Sequence, residues 1–319
     1  MENKTKKNYK KTIMKVLGII LAVIILWYMI KEFIENWNAI EPYLSNMKVV
    51  PFVLSVIIYA VAFLSVGYNW SYLLWKMDPA GDKIEYLNIH MTSALARYIP
   101  GGIWNIVGKA VMCTKVGAEK STTTVSMILE YVFQIISSGM FLLFFIPLLL
   151  SNNFNTLYLI LFIIAVIIIM IVLPYGVRLG IKIIAKVFKE DSSKIQLKKS
   201  YIYNVLGRFI LSWLITGVGL IVLVLAFSKI KVLQGILLVL SYPISWVVGF
   251  ISPSPNGMGI REAVLGYFLR LIKGGYSYEL ILLLTLSTRI WTILGEIVAF
   301  VGFKIVYIIR KKRKKLNEG

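Results

Sequence analysis

The sequence has very few of the residues from which metal sites and disulfide frameworks are built. Its 319 residues include one cysteine, Cys113, and one histidine, His90. A single cysteine cannot form an internal disulfide, and one residue of each kind leaves no His/Cys ligand set for zinc. The 15 acidic residues show no spacing that would cage a cation. We therefore expect no metal and no cofactor.

Charged residues are also scarce. They make up 16% of the chain, whereas 58% is hydrophobic and the mean hydropathy is +0.78. Soluble domains carry about 25% charged and about 45–50% apolar residues. A surface this apolar needs an apolar solvent, so the composition predicts an integral membrane protein.

Common catalytic and nucleotide-binding motifs are missing as well. The sequence contains no Gly-x-Ser-x-Gly elbow and no Walker loop, and the Gly-x-Gly at Gly257 and Gly259 lacks the third glycine of a dinucleotide fingerprint. No nucleotide site is therefore expected to drive the protein.

Apolar runs near 20 residues predict an all-α polytopic protein with six full spans, since about 20 helical residues cross the hydrocarbon core. The first run follows a lysine-rich start, as in a signal peptide, but Trp27 to Met29 offer no small-residue cleavage site, which favours an uncleaved anchor. The predicted spans are Val16–Ile30, Pro51–Trp75, Thr122–Leu150, Leu157–Leu173, Tyr203–Phe227 and Leu280–Ile309.

Two further stretches are interrupted by proline and glycine. Tyr86–Met112 contains Pro100, Gly101 and Gly102, and Val232–Phe250 breaks at residues 252–259 before a short helix, Ile260–Ile272. We interpret both as re-entrant hairpins. The alternative is that proline and glycine only kink ordinary helices, which would give up to eight spans.

The net charge of +20 reflects orientation in the membrane. With six spans and two hairpins, the predicted cytoplasmic segments hold 24 Lys and Arg and the outer segments hold six. This positive-inside bias places both basic tails, residues 1–15 and 310–319, in the cytoplasm. A basic linker, Tyr175–Ser200, also lies inside. Nucleic acid is not needed to explain the charge.

This topology divides the single membrane domain into two halves, residues 1–153 and 154–310. Each half reads span, span, hairpin, span, and the two halves enter the membrane from opposite faces. Inverted repeats with broken helices are typical of transporters, in which the breaks mark the substrate site.

Several charges fall within the apolar segments, where each costs about 2.5–3.5 kcal/mol by insertion scales. Arg208 is expected to snorkel to the interface, while the others either line a polar cavity or pair between helices. Arg289 and Glu296 are seven residues apart and share a helix face without touching. The candidate substrate-binding residues are Arg97, Pro100, Gly101, Gly102, Glu130, Asn256, Gly257, Gly259, Arg261, Glu262, Arg289 and Glu296.

At the two interrupted segments the sequence resembles the lysylphosphatidylglycerol synthase transmembrane region, also called the flippase-like membrane domain. The family shows Tyr-Ile-Pro-Gly-Gly, present here from Tyr98 to Gly102, and later Pro-Gly-x-Gly-x-Arg-Glu-Ala, present from Pro255 to Ala263 with Asn256 in place of a glycine. Bifunctional members continue into a soluble aminoacyl-transferase domain, whereas this chain ends ten residues after Ile309. The resemblance implies lipid translocation rather than lipid lysylation.

The motifs suit that role, because a half-helix N-terminus attracts an anion such as a lipid phosphate and Arg97 and Arg261 add charged contacts. Glu130, Glu262 and Glu296 would pair with these arginines or hold a cationic head group. We expect a flippase-like transporter of a phospholipid, an aminoacylated lipid or a polyprenyl-linked glycolipid in the bacterial cytoplasmic membrane, with a link to antibiotic resistance. Two alternatives remain open: a lipid-modifying enzyme of the phosphatidylglycerol lysyltransferase type, and an accessory partner of a separate synthase or glycosyltransferase.

Overall fold

The apolar runs form long helices, as hydropathy predicts. The computed structural model describes residues 24, 27–98, 104–150, 156–188, 195, 197–252, 254–272 and 275–318. Among these residues every regular element is helical, which confirms the all-α class. The helices are α1 (Trp37–Ser45), α2 (Val49–Met77), α3 (Lys83–Ala94), α4 (Trp104–Lys115), α5 (Lys120–Leu150), α6 (Thr156–Phe188), α7 (Lys199–Leu225), α8 (Val232–Ile251), α9 (Ile260–Leu271) and α10 (Tyr278–Glu318).

Six helices of the described chain are long and apolar enough to cross a membrane: α2, α5, α6, α7, α8 and α10. Five of them are predicted spans, with ends that differ by up to 15 residues from the apolar runs. The sixth, α8, was assigned to the second hairpin, yet its 20 residues suffice for a crossing. The predicted span Val16–Ile30 lies largely outside the described residues. Its last four residues, 27–30, belong to a described helical segment that continues to residue 35. The chain is a multi-pass membrane protein.

The predicted basic linker is partly wrong, because α6 continues through it to Phe188. Val177, Ile181 and Ala185 are buried at four-residue spacing, while Arg178 and Lys182 are exposed. This spacing gives an amphipathic helix end. The charges that ended the apolar run therefore lie on one side of the same helix.

Among the described helices, the most extensive contact lies between α2 and α7, the second spans of the two predicted halves. Polar side chains join them in the interior: Ser65 donates a hydrogen bond to Ser212 at 2.7 Å, and the Asn69 amide donates to the same hydroxyl at 3.0 Å. Such bonds hold helices together where the hydrophobic effect gives no drive for association. The two helices form a rigid centre for the hairpins.

The hairpins pack across the predicted halves. Helix α8 of the second hairpin packs against α5, and α3 of the first hairpin packs against α10. Each hairpin thus contacts the last helix of the opposite half. The inverted repeat itself stays a prediction.

Candidate functional site

The two hairpin turns meet inside the helix bundle. The first hairpin runs from α3 through a 3₁₀ turn, Leu95–Tyr98, to α4; Pro100, Gly101 and Gly102 lie outside the described residues. The second runs from α8 through a 3₁₀ turn, Pro255–Gly257, to α9. The two 3₁₀ turns contact each other, so the described turns of the two interrupted segments lie side by side.

Left-handed backbone builds the second turn. Asn256 has φ 51° and ψ 25°, and Gly257 and Gly259 have φ values of 67° and 78°. Glycine adopts this region freely, and asparagine tolerates it better than most other residues. Asn256 therefore fits the position at which the family usually has glycine.

A cavity of about 520 Å³ lies at this meeting point. Its volume falls within the range of ligand pockets, about 300–1,000 Å³. The wall combines aromatic rings, small polar side chains and three cations. Its lining residues are Tyr59, Ala62, Phe63, Val66, His90, Ala94, Arg97, Asn105, Ile106, Lys109, Glu130, Tyr131, Gln134, Trp213, Thr216, Tyr242, Trp246, Gly249, Phe250, Ser252, Ser254, Asn256, Gly257 and Arg261.

Glu130 pairs with a lysine that the sequence analysis did not single out. The Lys109 ammonium lies 2.6 Å from the Glu130 carboxylate, and both side chains are almost fully buried. His90 Nδ1 lies 3.7 Å from the other Glu130 oxygen, and the His90 ring packs near Trp70. This pair links α4 to α5 and lines one side of the cavity.

Arg97 pairs with Glu296, as one of the sequence-based alternatives allowed. Its guanidinium lies 3.3 Å from the Glu296 carboxylate and 4.9 Å from the centroid of the Phe63 ring. Glu296 is buried on α10. The pair therefore ties the first hairpin turn to the last helix of the opposite half.

A third pair joins Glu262 of α9 to Arg289 of α10, at 3.5 Å. Neither residue lines the cavity. In the predicted repeat this pair corresponds to Lys109 and Glu130, because each pair joins the second arm of a hairpin to the helix that follows it. In the first half the hairpin arm carries the cation, and in the second half it carries the carboxylate. Arg289 and Glu296 thus pair with the hairpins rather than with each other.

Arg261 differs from the other cations of the wall. Among the described residues no carboxylate forms an ion pair with it, and its buried Nε has no hydrogen-bond acceptor. Its guanidinium lies 5.6 Å from the Trp246 ring centroid. Two glycines make room for it: a Cβ at Gly249 would overlap the Arg261 side chain, and a Cβ at Gly257 would lie 2.8 Å from Nε.

The candidate residues of the sequence analysis thus divide into three groups. Arg97, Glu130, Asn256, Gly257 and Arg261 line the cavity, and Glu296 joins them through Arg97. Gly259, Glu262 and Arg289 lie beside it without forming its wall. Pro100, Gly101 and Gly102 are outside the described residues. The substrate-binding role of all twelve stays a prediction.

Sequence reasoning does not single out Lys109, which the positive-inside pattern places among the cytoplasmic lysines. His90, the one histidine of the sequence, is buried near Trp70 and also lines the cavity. The signal for Lys109 was present, since it stands alone between Val107 and Val111 in an apolar segment. That isolation is the same signal that singled out Glu130. Within the described ranges, no group of three His, Cys, Asp or Glu side chains could hold a metal ion.

Comparison with known proteins bears out the resemblance noted in the motifs. Neither the curated proteins nor the solved structures provide a match. A family model described as the lysylphosphatidylglycerol synthase TM region matches residues 15–299, which include both hairpins and all the ion pairs of the site. Since the match covers most of the chain, the protein belongs to the lysylphosphatidylglycerol synthase TM-region family.

Proposed function

We propose that the protein translocates a membrane lipid, with the cavity between the hairpins as the path of the head group. The family relates the chain to lipid modification or flipping, and translocation is the activity that the cavity suits best. We further infer that it works in a bacterial cytoplasmic membrane with both termini inside, since the basic residues follow the positive-inside pattern.

The observation that carries the proposal is the unpaired Arg261. A charge at membrane depth is costly and is usually kept for function, and the other two cations of the cavity wall are neutralised by Glu130 and Glu296. Arg261 has no carboxylate partner among the described residues, and it lies in the first turn of α9, which follows Gly259. Backbone N–H groups and a guanidinium together suit a phosphate oxygen.

The polar wall explains how a head group could leave water. Asn105, Gln134, Thr216, Ser254 and Asn256 surround the cavity with neutral hydrogen-bonding groups. These groups replace part of the hydration that a phosphate loses inside the bilayer. The acyl chains would remain in the lipid outside the helices, so only the head group needs the cavity.

A proteoliposome assay tests this proposal. The purified full-length chain is reconstituted with a lipid that carries a fluorophore on one acyl chain, and a membrane-impermeant reductant bleaches the outer leaflet. With active protein, nearly all the fluorescence should be lost, whereas protein-free vesicles should lose about half. Arg261→Ala should return the bleaching to the protein-free level.

Arg270→Ala is the matched control, because Arg270 is exposed on the same helix, α9, and does not line the cavity. It should translocate lipid like the parent protein. Circular dichroism and size-exclusion chromatography would show that both variants fold. Unchanged translocation by a folded Arg261→Ala variant would refute the assignment of this site.

A further inference from the structure

Among the described residues, the charges of the cavity wall leave a single positive charge uncompensated. Lys109 is neutralised by Glu130 at 2.6 Å, and Arg97 by Glu296 at 3.3 Å. Arg261 remains, and an arginine keeps its proton at any physiological pH. Apart from His90, three cations of the described wall face two carboxylates. An occupant with one net negative charge would balance the site.

The distribution of carboxylates argues against a head group that carries an amine. Both carboxylates at the cavity already accept from a cation of the protein. A ligand ammonium at either carboxylate would compete with Lys109 or Arg97 for that negative charge. The described wall, with three cations and two carboxylates, therefore repels an amine through a net charge of +1.

The remainder of the wall suits hydroxyl groups. Trp246 and Phe250 stack with ring centroids 5.3 Å apart, and Phe250 stacks on Tyr131 at 4.8 Å. This aromatic face lies beside Arg261, whose guanidinium is 5.6 Å from the Trp246 ring. An apolar face next to neutral donors and acceptors favours a ligand with C–H and O–H groups, such as glycerol or a sugar.

We propose that the cavity selects a phosphodiester head group with one net negative charge, whose other polar groups are hydroxyls, and discriminates against aminoacylated and amine-containing head groups. This rests on the proposed function, because it names the substrate class of the same site. The phosphate would contact Arg261, and the hydroxylated part would lie along the aromatic face.

A lipid panel in the same proteoliposomes tests the selection. The probes are acyl-labelled phosphatidylglycerol, which has one negative charge, phosphatidylethanolamine, which is zwitterionic, and lysylphosphatidylglycerol, which has one net positive charge. We expect phosphatidylglycerol to cross at least about tenfold faster than lysylphosphatidylglycerol. The interaction energy of two unit charges in contact, at an effective dielectric constant of about 20, is larger than the free energy that corresponds to a tenfold ratio. A fluorescent prenyl phosphohexose, tested as a separate arm, would tell whether the hydroxyl partner is glycerol or a sugar.

The outcomes separate this proposal from the proposed function. Equal rates for phosphatidylglycerol and lysylphosphatidylglycerol would overturn the charge selection and leave translocation standing, whereas no movement of any lipid would overturn both. Arg261→Glu gives the wall a net negative charge and should remove the advantage of phosphatidylglycerol over lysylphosphatidylglycerol, while Arg270→Glu should leave that advantage unchanged. If Arg261→Glu does not fold, the panel on the parent protein still decides.

Discussion

The buried pair of Lys109 and Glu130 should contribute strongly to stability. Glu130→Gln keeps the shape of the side chain and removes its charge, which leaves Lys109 without a counter-ion at a site where its side chain is 6% exposed. Removing one partner of a buried ion pair costs about 3–5 kcal/mol. We therefore expect the free energy of unfolding at pH 7 to fall by about that amount.

The pH dependence of this loss gives a sharper test. The folded variant can remove the buried charge by releasing the lysine proton. For a lysine of ordinary pKa, about 10.4, this deprotonation costs about 4.6 kcal/mol at pH 7 and about 1.9 kcal/mol at pH 9. The unfolded chain keeps its proton at both values. Since the unfolded state then binds more protons, the stability of the variant rises with pH, and the loss at pH 9 should not exceed about 2 kcal/mol.

Denaturant titrations of the parent and the variant in one detergent, at pH 7 and pH 9, measure both losses. Glu35→Gln is the matched control, because Glu35 forms an exposed pair with Lys31 at 3.6 Å; this substitution should cost no more than about 0.5 kcal/mol. Combining Glu130→Gln with Lys109→Met should recover much of the stability. A loss at pH 7 as small as that of the control, or an equal large loss at both pH values, would refute the reasoning.

Three other predictions concern the turns and the helix contacts. Arg97→Glu and Glu296→Arg should each reduce translocation, and the double exchange should partly restore it, as measured by lipid bleaching. Gly257→Ala should destabilise by about 1–2 kcal/mol in a denaturant titration, because its φ of 67° strains an L-residue, and the new Cβ would also displace Arg261. The Tyr278 hydroxyl donates a hydrogen bond to Glu32 at 2.8 Å and lowers the pKa of that carboxyl. The contact is therefore present at neutral pH and is lost as pH falls through the lowered pKa. Faster hydrogen exchange in residues 27–35 at low pH would report this loss.

Much of the fold follows from hydropathy. Five predicted spans are helices because an apolar run of this length can satisfy its backbone polar groups in lipid only as a helix. The same signal could not separate α8 from a full span, since a re-entrant arm and a crossing helix are equally apolar. Hydropathy also placed the end of this span at Leu173, whereas α6 continues to Phe188. The backbone of a helix that leaves the bilayer stays helical while charged residues appear on its exposed side, so the apolar run ends before the helix does.

The site was predictable in its components rather than in its pairing. Charges within apolar segments pointed to Glu130 and Glu296, and charges beside the two interrupted segments pointed to Arg97 and Arg261. Which charges neutralise each other depends on the approach of the hairpins to distant helices, and sequence spacing does not contain that distance. The pairing of Lys109 with Glu130, 21 positions away, was therefore not predictable, although the isolation of Lys109 in an apolar segment was visible in the sequence.

The neutrality of the three interior pairs has an electrical consequence. Moving one elementary charge through 100 mV of membrane potential changes its energy by about 2.3 kcal/mol. The pairs of Lys109 with Glu130, Arg97 with Glu296 and Arg289 with Glu262 each sum to zero. A rearrangement that keeps these pairs intact therefore transfers none of their charge, and among the charges of the site the membrane voltage acts on Arg261 of the second hairpin.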